Sequence, residues 1–126
     1  MNIRQITDTF AVAPQIGYKD MDRLARAGFT TIINNRPDGE EASQPTSAAL
    51  AKAAKKAGLT YHHIPIRPGR ATAEDKARFR DILENADGPV LAFCRSGMRA
   101  HSLYRSATRG PGLFSRLFAK LSGRKN

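Results

Sequence analysis

Apolar residues along the chain fall into short runs separated by breakers, and the runs alternate between two periods. Runs at Phe10–Val12, Thr30–Asn34, Tyr61–Ile66 and Val90–Phe93 read as strands. Between and after them, apolar positions recur at helical spacing over Lys19–Ala27, Ser47–Ala57, Ala73–Asn85 and Ala100–Ala107. Gly28 and Gly58 stand where helices end in a left-handed residue, while Thr46 and Thr72 stand where a hydroxyl caps a helix start. Strands alternating with helices predict an α/β fold: a single domain with a largely parallel central sheet flanked by helices on both faces. In such sheets the ligand site opens at the carboxyl ends of the strands.

That rule brings three strand ends together. After Ile33 the chain reads Asn34-Asn35-Arg36-Pro37-Asp38-Gly39-Glu40, a turn-forming segment with a guanidinium and two carboxylates. A solvated turn with a local ion pair is the alternative reading of Arg36 and Asp38. After Ile66 comes Arg67-Pro68-Gly69-Arg70, which is basic and holds no acid before Glu74 and Asp75. Asp75 reads as a carboxylate complementing a helix's first turn. His62 and His63, adjacent on one strand, point to opposite faces and form no metal pair, so no metal site is expected. His101 is close to the third strand end in sequence.

The third strand end carries the strongest chemical signal. The chain's only cysteine, Cys94, follows Val90–Phe93 and opens the loop Arg95-Ser96-Gly97-Met98-Arg99 before a helical run. Backbone N–H groups at a helix start, together with a guanidinium, favour the ionised form of a thiol and also bind anions. Cys94 is therefore a candidate nucleophile, expected to meet solvent in an amide-lined pocket. A buried cysteine acting as a small apolar filler is the alternative.

Length and charge narrow the class. At 126 residues the chain has the length of one domain, and its lone cysteine excludes an internal disulfide. No run approaches the about 18 apolar residues a membrane span needs, and the start has no apolar leader, so a cytoplasmic location is expected. The net charge is +10, but residues 1–87 hold 13 basic and 11 acidic side chains, whereas residues 88–126 hold eight basic and no acidic ones. The excess belongs to the cysteine loop and a tail, which suits an anion site better than a nucleic-acid-binding face. Residues 1–108 thus read as the catalytic domain and 109–126 as a basic amphipathic tail. In that tail Leu113, Phe114, Leu117, Phe118 and Leu121 fall at helical spacing, with Arg116 and Lys120 between them. Docking on its own domain is the commoner fate of such a segment; contact with an anionic membrane surface or a partner groove is the other.

Several separated motifs, in order, carry a resemblance: Ile32-Ile33-Asn34-Asn35-Arg36-Pro37-Asp38-Gly39-Glu40, Gln44-Pro45, His63-Ile64-Pro65 and Phe93-Cys94-Arg95-Ser96-Gly97-Met98-Arg99. From Ile3 to Ala107 the chain resembles the beta-lactamase-hydrolase-like, phosphatase-like domain family. The resemblance implies a fold like that of dual-specificity tyrosine phosphatases, Cys94 as nucleophile, Arg99 as the anion-clamping arginine, and no cofactor. Domains of this family occur fused to persulfide dioxygenase-like domains, which implies a persulfide dioxygenase partner.

Two departures from the tyrosine phosphatase pattern point to sulfur chemistry. Phosphatases place the arginine six positions after the cysteine, whereas here residue 100 is alanine and the arginine is residue 99, as in the six-residue loop of rhodanese sulfurtransferases. The loop at Arg67–Arg70 also lacks the aspartate that protonates a phosphatase's leaving group, a role Asp38 takes if its strand end reaches across. The expected enzyme is a sulfurtransferase carrying sulfane sulfur as a Cys94 persulfide and passing it to an external thiol. Arg99, Arg95, Arg36 and the loop residues Ser96, Gly97 and Met98 would bind the small anionic or persulfide donor. The alternative is a phosphatase acting through a phosphocysteine on a phosphate substrate, and the third reading is an anion-binding module without turnover.

Overall fold

The computed structural model describes residues 1–109. The elements in chain order are β1 (Arg4–Thr7), β2 (Phe10–Ala13), a 3-10 turn (Tyr18–Asp20) leading into α1 (Met21–Arg26), β3 (Thr31–Asn34), α2 (Ser47–Lys56), β4 (Thr60–His63), α3 (Ala73–Asn85), β5 (Val90–Phe93) and α4 (Met98–Thr108). The sheet runs β1-β2-β5-β3-β4, with β1 antiparallel to β2 and every other pair parallel. The fold is a single α/β domain with a mostly parallel sheet, as the alternation predicts.

Burial on both faces explains why the central strands read as unbroken apolar runs rather than alternating ones. Successive residues of β2, β3 and β5 supply two cores. Phe10, Val12, Ile33, Val90 and Ala92 pack against Phe79 of α3 and Leu103 of α4, whereas Ala11, Ala13, Ile32, Leu91 and Phe93 pack against Leu24 of α1 and Leu50 of α2. In the first core Phe10 stacks on Tyr104 at 4.1 Å between ring centroids, and Phe79 meets Phe10 edge-on at 5.8 Å. Such pairs add about 0.5–1.5 kcal/mol each beyond the area they bury.

The predicted caps are present. Thr46 accepts from the Ala49 N–H, Thr72 and Asp75 form a reciprocal capping box, and Gly28 and Gly58 have φ of +103° and +82°. Most boundaries shift by one or two residues, and three differences have a local cause. The β1 strand, Arg-Gln-Ile-Thr, was not predicted: it is an edge strand with one half-buried side chain and carries no apolar pattern to read. The β4 ladder ends at His63 rather than Ile66, because the register slips past the end of β3: Ile64 donates to the Asn34 carbonyl at 2.9 Å, but Ile66 donates to Asn35 rather than to Arg36, at 3.0 Å. The α4 helix starts at Met98, two residues early, because Gly97 at φ +94° turns the chain straight into it. The amphipathic stretch beyond Arg109 lies outside the described residues. Among those described, no helix is long and apolar enough to cross a membrane.

Candidate active site

Register decides what meets at the sheet's carboxyl edge. Phe93 at the end of β5 lies level with Ala13 of β2 and Asn34 of β3, and Asn34 lies level with His63 of β4. Four chain exits therefore leave the sheet at one height, the three foreseen and a fourth after Ala13.

The Cys94 loop is built against that fourth exit. The Cys94 N–H donates to the Ala13 carbonyl at 3.4 Å, and the Gln15 N–H donates to the Arg95 carbonyl at 3.2 Å. Gly97 then takes its left-handed conformation with its α-carbon pressed against β2's end; a Cβ there would stand 3.3 Å from the Ala13 carbonyl carbon. This turn aims the Gly97 N–H at Cys94 Sγ, 3.1 Å away, at the positive end of α4. The sulfur thus faces a backbone donor at a helix start, the kind of place that also receives anions. The sulfur does not meet solvent as expected: Cys94 has no exposed surface and belongs to the core beneath α3 and α4. The strand end that supplies the nucleophile is fully buried, so its first loop residue is too.

Arg99 is held at two points. Its Nη1 and Nη2 donate to Glu40 Oε2 and Oε1 at 2.8 and 2.9 Å, and Nη1 also donates to the Ile66 carbonyl at 2.9 Å. These Arg99 hydrogen bonds hold the Glu40 carboxyl at about 2, against the opposing effect of partial burial and with help from Arg36. Arg36 is 2 % exposed, and each of its three nitrogens donates to the protein: Nε to Glu40 at 2.9 Å, Nη1 to Gln15 Oε1 at 2.9 Å and Nη2 to Glu41 at 2.6 Å. Its backbone is fixed as well, by Asn34 Oδ1 on its N–H and by His63 Nε2 on its carbonyl, each at 2.8 Å. Glu41 lies 3.5 Å from Arg95, and its carboxyl is lowered first by the Arg36 hydrogen bond and then by Arg95's charge. The segment after β3 thus binds both arginines of the cysteine loop through adjacent glutamates, anchored by one buried guanidinium.

The expected site residues are distributed unevenly. Cys94, Gly97 and Arg99 come together. Arg95, Ser96 and Met98 are exposed on the loop, and the latter two border a cavity of about 250 Å3 shared with Arg4, Pro14 and His101. Arg36 serves as an internal anchor, neither the solvated turn residue nor a free substrate ligand. Asp38 turns away: its Oδ1 accepts the Ser47 N–H at 2.8 Å, at the start of α2, and the carboxylates joined to the loop arginines are those of Glu40 and Glu41. Glu41, Gln15 and the His63 contact were not foreseen. A buried arginine demands acceptors, and counting β2's end among the sheet exits would have found Gln15.

Residues 2–110 match the family described as beta-lactamase hydrolase-like protein, phosphatase-like domain. The chain belongs to this family. A beta-lactamase hydrolase-like protein of Xylella fastidiosa (strain Temecula1) is 38% identical to this phosphatase-like domain over 104 residues, covering 82% of the chain and 24% of the relative. The domain therefore spans about a quarter of that relative's length. A candidate phosphatase from Neisseria meningitidis, of known crystal structure, is 37% identical, with a TM-score of 0.76 over 82% of this chain and 74% of that one. TpbA of P. aeruginosa, crystallised as a Cys-to-Ser variant in complex with phosphotyrosine, shares the fold at a TM-score of 0.62 and 17% identity, over 92% of this chain and 71% of that one. The phosphatase-like domain thus has the architecture of protein tyrosine phosphatases, as the sequence motifs implied.

Proposed function

We propose that this domain is a cysteine-dependent phosphatase in which Cys94 takes a phosphoryl group from a phosphate substrate and water then hydrolyses the phosphocysteine. The observation that carries this reading is the Gly97 N–H donating to Cys94 Sγ at 3.1 Å, with Arg99 pinned five residues on. A deprotonated cysteine attacks phosphorus, and a guanidinium held in one orientation binds the equatorial oxygens as charge spreads over them. Cys94 is enclosed in the resting structure, so substrate entry requires the side chains around the loop to move aside.

The family and the Neisseria relative favour this alternative over sulfur transfer, which rested on the loop being one residue shorter and on the aspartate missing from Arg67–Arg70. Loop length was a weak guide because the left-handed Gly97 lets the short loop close with an N–H still on the sulfur. Hydrolysis of p-nitrophenyl phosphate, its inhibition by vanadate, and its fall to background in Cys94→Ser are the expected results. Undiminished hydrolysis by a folded Cys94→Ser protein would overturn the proposal.

A further inference from the structure

Breaking a phosphate ester requires a proton for the departing oxygen unless that oxygen leaves as a stable anion. The carboxylates around Cys94 are engaged as acceptors. Glu40 sits between Arg99 and Arg36, Glu41 between Arg36 and Arg95, and Asp38 takes the Ser47 N–H. Asp75 is committed to its capping box with Thr72. The Arg99 hydrogen bonds, which hold Glu40 at about 2, keep it from carrying a proton at neutral pH. No acid lies in residues 88–126, and the segment from Arg67 to Arg70, which follows the Ile66 carbonyl bound by Arg99, is basic.

Cations stand on the Arg99 side of the loop, where no free carboxylic acid does. A cavity of about 190 Å3 adjoins Arg99 and is lined also by Gly69, Ala71, Lys76, Ser102 and Ser106. At about 30 Å3 per water molecule it has room for a tetrahedral anion. Among the described residues no carboxylate pairs with Lys76, Arg67 or Arg70. An ammonium, two hydroxyls and the edge of a guanidinium form a donor set for phosphate.

We propose that the substrate is a phosphoanhydride, its terminal phosphoryl on the Cys94 loop and its second phosphate in the Lys76 cavity beside Arg99. This rests on the cysteine phosphatase reading above. Cys94 Sγ bonds to the terminal phosphorus as the bridging P–O bond breaks, and the electron pair departs with the second phosphate, which leaves as an anion and needs no proton. Water then attacks the phosphocysteine. The S–P bond breaks with its pair returning to sulfur, and the water's protons pass to orthophosphate and solvent. Inorganic pyrophosphate and a nucleoside diphosphate both present this chemistry.

The test measures turnover of pyrophosphate, ADP, p-nitrophenyl phosphate and phenyl phosphate by the full chain and by Cys94→Ser, Lys76→Gln and Glu74→Gln. Cys94-dependent hydrolysis of pyrophosphate or ADP is expected, and which of them turns over names the source. The value of kcat/KM should fall about tenfold or more from p-nitrophenyl to phenyl phosphate, whose leaving group holds its proton more tightly. Lys76→Gln should raise KM for the anhydride about tenfold, and by more than it does for p-nitrophenyl phosphate. Equal turnover of the two aryl phosphates, selective loss of phenyl phosphate turnover in Glu74→Gln, or Cys94-dependent turnover confined to esters would overturn the anhydride proposal and leave the phosphatase reading standing. Failure of every phosphate, p-nitrophenyl phosphate included, would remove both.

Discussion

Glu40 and Arg99 face each other as a two-point clamp, with both terminal nitrogens of the guanidinium donating to both carboxylate oxygens, at 2.8 and 2.9 Å. With the Ile66 carbonyl on Nη1, this leaves Nε–H and one Nη2 proton for an incoming anion, the other fork of the same planar group. Glu40 is thus a positioning residue for Arg99. In Glu40→Gln the amide keeps an acceptor but loses the charge and the second acceptor. We expect kcat/KM for p-nitrophenyl phosphate to fall about tenfold, near 1.4 kcal/mol, with vanadate affinity falling in parallel. Retention of both would show that the Ile66 carbonyl suffices.

The same clamp sets an acid limit to stability. Glu40's carboxyl is lowered from 4.5 to about 2 in the fold. Its contribution to stability is complete above the unfolded value and is lost as pH falls through the folded one. Denaturant midpoints should therefore drop from about pH 4.5 towards pH 2, with Glu41 adding in the same direction. A Glu40→Gln protein should show a shallower drop; matching curves for the two proteins would place the acid sensitivity elsewhere.

Gly97→Ala tests the turn that aims an amide at sulfur. The position has φ +94°, and the added methyl would stand 3.3 Å from the Ala13 carbonyl carbon. Strain of about 1–3 kcal/mol is expected, with phosphatase turnover falling because the amide is displaced from Sγ. Gly58→Ala is the matching control, for it too lies at positive φ but has nothing within 4 Å of the added methyl. It should lose about 1 kcal/mol of stability and keep its turnover. Equal losses of turnover in both variants would show that the Gly97 amide plays no special part.

Arg36→Met removes the anchor of the segment after β3. It strips Glu40, Glu41 and Gln15 of a donor in one step. Because both glutamates retain some solvent access, the cost should lie at the low end for a broken buried pair, about 3 kcal/mol, read from the denaturation midpoint. A stability within about 0.5 kcal/mol of the parent would make this guanidinium dispensable.

Backbone elements with local signatures were legible before the structure. Thr72 with Asp75 and the periodic run to Asn85 place α3 at its observed limits, and Val90–Phe93 places β5, since caps and apolar runs act within a few residues. The polar edge strand β1 has no such signature. Side-chain destinations were harder to read. Arg36 and Asp38 are two residues apart on one turn, yet one is buried as an anchor and the other caps α2, and only the placement of Gln15, Glu41 and Ser47 decides which. The burial of Cys94 likewise follows from α3 and α4 closing over β5, which pairing patterns do not encode.

Flush strand ends carry a cost for engineering this scaffold. Each strand feeding the site is four residues long, so the sheet acts as a ruler with no spare graduations. Inserting or deleting one residue within β2, β3 or β5 would turn the rest of that strand over and swap its two layers, carrying the functional group beyond it to the wrong level. Diversity in this architecture is best sought past the rim, where length can change without moving the marks beneath.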